Sequence, residues 1–131
     1  MSPRERISAA VRGAARQGEP ALVAYLTAGF PQRERFREQV RALARAADVI
    51  EIGVPFTDPM ADGVTIQRAS LAALAQGVSL GWILEELETL GGLAAPLLLM
   101  SYLNPLLAFG LRPLAARSAR AGVAGDRKSV V

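Results

Sequence analysis

Three short apolar runs, over residues 21–27, 49–56 and 96–102, are separated by stretches in which apolar side chains recur every three or four positions. Almost wholly apolar runs of this length predict strands covered on both faces, as in a parallel sheet, and the second, over 49–56, is also rich in β-branched residues. The intervening spacing predicts helices. Ile7, Val11 and Ala14 lie at helical intervals over 4–17, before the first strand. Phe36, Val40, Leu43 and Ala47 mark one face of a helix over 33–47, and a helical segment over 66–76 ends at Gly77. Ser79 stands where an N-cap belongs for a further helix with Ile83, Leu87 and Leu90 inward, stopped by Gly91-Gly92. Asn104-Pro105 reads as the loop after the third strand. A last helix starts near Leu111, with Pro113 tolerated in its first turn, and runs to Gly122. The order is one helix followed by three strand-helix units, which argues for an α/β fold with a parallel sheet and right-handed crossovers. Three units alone leave an open sheet and a closed barrel equally consistent.

One residue breaks the second apolar run. Glu51 places a carboxylate where a buried strand wants Val or Ile, and burying an uncompensated charge is costly. Past Phe56 the chain turns polar, with Thr57-Asp58-Pro59 and Asp62-Gly63 as turn signals. Glu51 and Asp62, eleven positions apart, therefore fall on a strand and on the loop that follows it. Ligands in β/α architectures bind at that end of the strands, so the two carboxylates are a candidate acid/base pair. The alternatives are an ion-pair Glu and an Asp serving turn chemistry.

Composition narrows the chemistry. The 131 residues are 51% hydrophobic, enough for the core of one small domain, and contain neither cysteine nor histidine. Disulfides, thiol nucleophiles, Ser-His triads and the usual zinc sites are thereby excluded, and no metal site is expected. The pI is near 10.2, yet the net charge is only +3. Arg33, Arg35, Arg37, Arg41 and Arg45 share their helix with Glu34 and Glu38, so a solvated face is expected there and no nucleic-acid surface. The N-terminus has no signal-peptide pattern and the apolar runs are too short to cross a bilayer, so a soluble, cytoplasmic protein is expected.

The stretch Ile50-Glu-Ile-Gly-Val-Pro-Phe-Thr-Asp-Pro-Met-Ala-Asp-Gly63, with Ile66-Gln-Arg-Ala-Ser70 after it, closely resembles the signature of the tryptophan synthase alpha chain family. Leu22-Val-Ala-Tyr-Leu-Thr-Ala-Gly-Phe-Pro31 resembles that family's first strand and turn, and Leu99-Met-Ser-Tyr-Leu-Asn-Pro105 its third. The resemblance implies a (β/α)₈ TIM barrel, of which only the first three strand-helix units and an N-terminal helix are expected here. It implies retro-aldol cleavage of indole-3-glycerol phosphate to indole and glyceraldehyde 3-phosphate, with Glu51 as general acid/base and Asp62 holding the indole nitrogen. Tyr25 is implied to line the indole pocket, and Leu99 and Tyr102 to line it with Tyr25, ordinary barrel filling being the alternative for both; Trp82, on a helical pattern, is expected to serve packing only. Pro55, Asp58, Pro59 and Asn104 match positions that face the beta chain in an α2β2 assembly. The resemblance implies no cofactor in this chain, pyridoxal phosphate belonging to the partner beta chain. Val64 departs from the pattern, since many relatives have Pro there.

The family pattern stops near residue 125, and the phosphate site expected after the seventh and eighth strands has no counterpart in residues 1–131. Lys128, the only lysine beside fourteen arginines, lies in the hexapeptide 126–131. Residues 1–125 are therefore expected to be the N-terminal part of a single barrel domain, and 126–131 a non-native tail.

Overall fold

In the computed structural model, which describes residues 1–128 and the side chains of residues 1–125, the chain alternates helices with four parallel strands. Helix α1 (Pro3–Arg16) starts on a capping box: the Ser2 hydroxyl accepts the Glu5 N–H, and the Glu5 carboxylate accepts the Ser2 N–H. Strand β1 (Val23–Thr27) leads through a 3₁₀ turn, Arg33–Arg35, into α2 (Phe36–Ala44). Strand β2 (Val49–Gly53), helices α3 (Val64–Ala75) and α4 (Leu80–Leu90), strand β3 (Leu97–Ser101), helices α5 (Leu103–Phe109) and α6 (Leu111–Ala121), and strand β4 (Val123–Lys128) follow. The sheet order is β1-β2-β3-β4, with every neighbouring pair parallel.

The three expected strands and their helices are present, and the sheet carries one strand more. Gly122 takes a left-handed conformation that ends α6, and Val123 enters the ladder directly opposite Leu97. A bulge between Leu97 and Leu98 then sets Leu98 opposite Gly125. The backbone of β4 extends three residues into the 126–131 hexapeptide; residues 129–131 lie outside the described residues.

Two boundaries differ from the sequence reading for reasons visible in the backbone. Strand β2 ends at Gly53, not Phe56: Val54 N–H still reaches Met100 O at 2.9 Å, but Pro55 has no N–H to continue the ladder. Asn104-Pro105 is helical, not loop. Tyr102 is the N-cap of α5, which puts Pro105 in its first turn, where a missing N–H costs no helical bond.

The core lies between the sheet and its helices. Phe36 and Val40 from α2 and Ile83, Leu84 and Leu87 from α4 close over Ile50, Ile52, Leu97 and Leu99. Burying a side chain of this kind contributes about 1.5–3 kcal/mol. Ser79 caps α4 as expected, accepting the Trp82 N–H at 3.1 Å. Trp82 itself packs at a tilt against Phe36, with the Arg33 guanidinium over its ring at 5.4 Å. Two arginines of this segment pair with carboxylates, Arg37 of α2 with Glu86 at 2.7 Å and Arg35 of the 3₁₀ turn with Glu38 at 3.5 Å. Among the described residues no helix is long and apolar enough to cross a membrane.

Candidate active site

Side chains alternate across a sheet, so the register decides which residues can share a site. Tyr25 stands beside Glu51, and Glu51 beside Leu98. That row occupies the face opposite the helix-covered core. On it, two residues further along, are Thr27, Gly53 and Met100. Glu51 is buried at 6% exposure in the middle of a strand whose every residue is buried.

Tyr25 leans along the sheet toward the carboxyl ends of the strands. Its hydroxyl shares a hydrogen bond of 2.9 Å with Thr27 Oγ1, and its ring crosses the space a side chain at Gly53 would fill, an added Cβ coming within 2.6 Å of Cζ. Burial pushes the Tyr25 phenol above its ordinary range; the Thr27 hydrogen bond pulls it part of the way back, and the negative charges of Asp62 and Glu51 push it up again. The register sets Tyr25 beside Glu51, and Asp62 lies on the loop that leaves the carboxyl end of β2.

Asp62 sits half-buried in the loop between β2 and α3. Its N–H donates to Pro59 O at 3.1 Å, closing a tight turn over residues 59–62. Two side chains from elsewhere hold this turn. The Tyr102 hydroxyl accepts the Ala61 N–H at 2.9 Å, while its ring packs 5.1 Å from Phe56. The Gln67 side-chain amide donates to Asp62 O at 2.9 Å and to Pro59 O at 3.2 Å. Neither Gln67 nor the Gly53 gap was singled out by sequence. A glycine two positions after Glu51 does carry a signal, since glycine inside a strand marks a close approach; nothing in the spacing marks Gln67.

Leu99 is a correction. It was expected in the indole pocket, but it pairs with Ile52 on the helix-covered face and is 1% exposed within the core. Leu98 and Met100, partly exposed, occupy the face of Glu51 instead. Tyr102 is 9% exposed and borders an open groove of about 500 Å³ with Phe56, Asp58, Met60, Ala61, Leu103 and Asn104. That groove gathers two of the four candidate partner contacts, Asp58 and Asn104, both exposed. The other two, Pro55 and Pro59, are buried within the chain and shape the loop, so they offer no free surface to a partner. Among the described residues no cluster of three or more His, Cys, Asp or Glu could hold a metal.

A parallel sheet with helices packed on one face, its strands joined through helices, has the architecture of part of an α/β barrel. A family profile for the tryptophan synthase alpha chain matches residues 11–126. The tryptophan synthase alpha chain of Nitratidesulfovibrio vulgaris strain Hildenborough is 48% identical over 122 residues, 92% of this chain and 48% of that protein. That of Solidesulfovibrio magneticus is 50% identical over 110 residues, 82% of this chain and 43% of the relative. Among solved structures, tryptophan synthase subunit alpha from Legionella pneumophila superposes with a TM-score of 0.87 at 34% identity, over 92% of this chain and 47% of that one. Tryptophan synthase from M. tuberculosis gives 0.86 at 34% identity, over 92% and 49%. The chain belongs to the tryptophan synthase alpha chain family and has its barrel fold in part. It spans about half the length of the relatives it matches.

Proposed function

We propose that the protein acts in tryptophan biosynthesis as the alpha chain of a tryptophan synthase, cleaving indole-3-glycerol phosphate to indole and glyceraldehyde 3-phosphate. The reaction needs a proton at ring carbon 3, after which the carbon-carbon bond breaks and its electron pair restores the aromatic ring. The glycerol hydroxyl loses its proton as its carbon becomes the aldehyde. Glu51 is the general acid/base: it gives one proton to the ring and takes one from the hydroxyl, so the net proton count is unchanged. Asp62 accepts a hydrogen bond from the indole N–H and offsets the positive charge that develops there. A buried strand carboxylate and a half-buried loop carboxylate stand in different environments, as such a division of work requires. Tyr25 borders the ring.

What supports this reading is that Glu51 is buried beside Tyr25 in the sheet, on the strand whose following loop carries Asp62. Substrate phosphate would be bound by loops of later strands, which these four do not include. The 131-residue chain on its own is accordingly proposed to be inactive. The proposed partner is a beta chain carrying pyridoxal phosphate, in an α2β2 assembly that takes up the indole, with Asp58 and Asn104 on the surface that meets it; the proposed location is cytoplasmic. Release of indole by the complete enzyme, offered indole-3-glycerol phosphate and other sugar phosphates in parallel, tests the proposal. Indole release alone is expected, and turnover of another sugar phosphate with no indole formed would overturn it.

A further inference from the structure

The loop that carries Asp62 is held by polar groups from outside it. Helix α3 begins at Gly63 with no side-chain cap. Gln67, one turn into the helix, reaches back over that uncapped end, and its single NH₂ group bridges two carbonyls, Pro59 O at 3.2 Å and Asp62 O at 2.9 Å. Pro59 O also accepts the Asp62 N–H at 3.1 Å, so the turn is closed by a main-chain bond and braced by a side chain from within α3. From the N-cap of α5, just past β3, the Tyr102 hydroxyl takes the Ala61 N–H at 2.9 Å. Four consecutive peptide groups, from Pro59–Met60 to Asp62–Gly63, are therefore fixed by Gln67, Tyr102 and the turn's own main-chain bond.

Helix α3 is itself secured at its other end. Gln76 Nε2 donates to Gly29 O and Pro31 O in the loop after β1, and its Oε1 accepts the Arg33 N–H at 2.8 Å. The brace from Gln67 is thus anchored to the β1 loop, the same strand end that presents Tyr25. An Asp on a surface turn would otherwise sample many orientations, and a carboxylate misplaced by about 1 Å can cost about 10²-fold in rate.

We infer that Gln67 is a positioning residue: by donating two hydrogen bonds to the turn it holds the Asp62 carboxylate toward Glu51. The inference rests on the catalytic reading of Glu51 and Asp62 given above. Donation, not volume, is the property at stake, and three substitutions separate the two. Gln67→Glu keeps the shape but, ionised, turns an acceptor toward two carbonyls. Gln67→Met keeps the volume and removes the donors. Gln67→Lys replaces the amide with another donor.

The test measures kcat and KM for indole release by the complete enzyme with its beta chain, at pH 8, for these three variants and for Glu51→Gln. Expected are a fall in kcat of about 10²-fold for Gln67→Glu and about tenfold for Gln67→Met, near-wild-type kcat for Gln67→Lys, and KM within about threefold throughout. A role in packing alone predicts the reverse order, with the isosteric Glu least affected, and that order would overturn the inference. Should Gln67→Glu fail to fold, amide exchange at Ala61 and Asp62 in Gln67→Met decides: faster exchange there with the rest of α3 unchanged supports the brace, and unchanged exchange overturns it. Glu51→Gln separates the two levels of failure. If it keeps turnover, the catalytic reading falls; if it is inactive while Gln67→Glu is not, only the brace falls.

Discussion

Tyr25 occupies the room that Gly53 leaves: a Cβ at Gly53 would overlap the tyrosine hydroxyl and lie 2.8 Å from Cε2. The glycine is therefore a space for the ring, on the strand that carries Glu51 two residues earlier. Gly53→Ala is expected to displace Tyr25 and to destabilise the fold by about 1–3 kcal/mol, the usual range for overfilling a packed site. Urea unfolding of Gly53→Ala, Tyr25→Ala and the double variant checks it. A double-mutant cycle should show the alanine tolerated once the ring is gone; equal cost in both backgrounds would contradict the packing described.

Tyr102→Phe should leave the stacking on Phe56 intact and remove the acceptor for Ala61 N–H. The expected loss is about 1 kcal/mol, as for a single neutral hydrogen bond. Hydrogen exchange localises it: the Ala61 amide should exchange faster, while amides of the β3 ladder keep their protection.

Tyr25 also sets an alkaline limit. Its phenol is held above the ordinary tyrosine value of 10.0, first by burial and then by the Asp62 and Glu51 charges, against the Thr27 bond. The folded state therefore holds this proton more tightly than the unfolded chain does. Stability attributable to the group is complete below pH 10 and declines as the pH rises from there through the folded-state value. Denaturation midpoints measured from pH 8 to 11 should fall more steeply for wild type than for Tyr25→Phe, and parallel curves would contradict the assignment.

How much of this was legible in the sequence depends on whether a feature is local. Strand and helix order came from apolar spacing, and Ser79 was readable as a cap because capping needs only a hydroxyl before a helical run. Glu51 stood out because a charge is conspicuous in an apolar strand. Leu99 was misplaced because the face of a strand follows from its register with a neighbour, and the register Glu51–Leu98 is a tertiary fact. Gln67 and the Tyr102 hydroxyl act across separate elements on backbone atoms, and no residue pattern records a carbonyl. The α5 boundary was missed because Asn-Pro serves a turn and a first helical turn equally well.

The β1 and β4 edges are unpaired among the described residues, and Leu22, Val23, Leu107 and Leu111 are about half exposed. Open edges beside apolar surface favour pairing between chains. The 131-residue polypeptide is expected to self-associate, with light scattering rising with concentration. A monodisperse monomer that unfolds in one cooperative transition would contradict this.

Glu51 is where the functional account is most exposed to test. In the complete enzyme with its beta chain, Glu51→Gln keeps the side chain's size and removes its capacity to exchange a proton, so indole release from indole-3-glycerol phosphate should be lost while the circular dichroism spectrum and beta-chain binding stay unchanged. Turnover comparable to wild type in a correctly folded Glu51→Gln enzyme would contradict the assignment of this carboxylate as the acid/base.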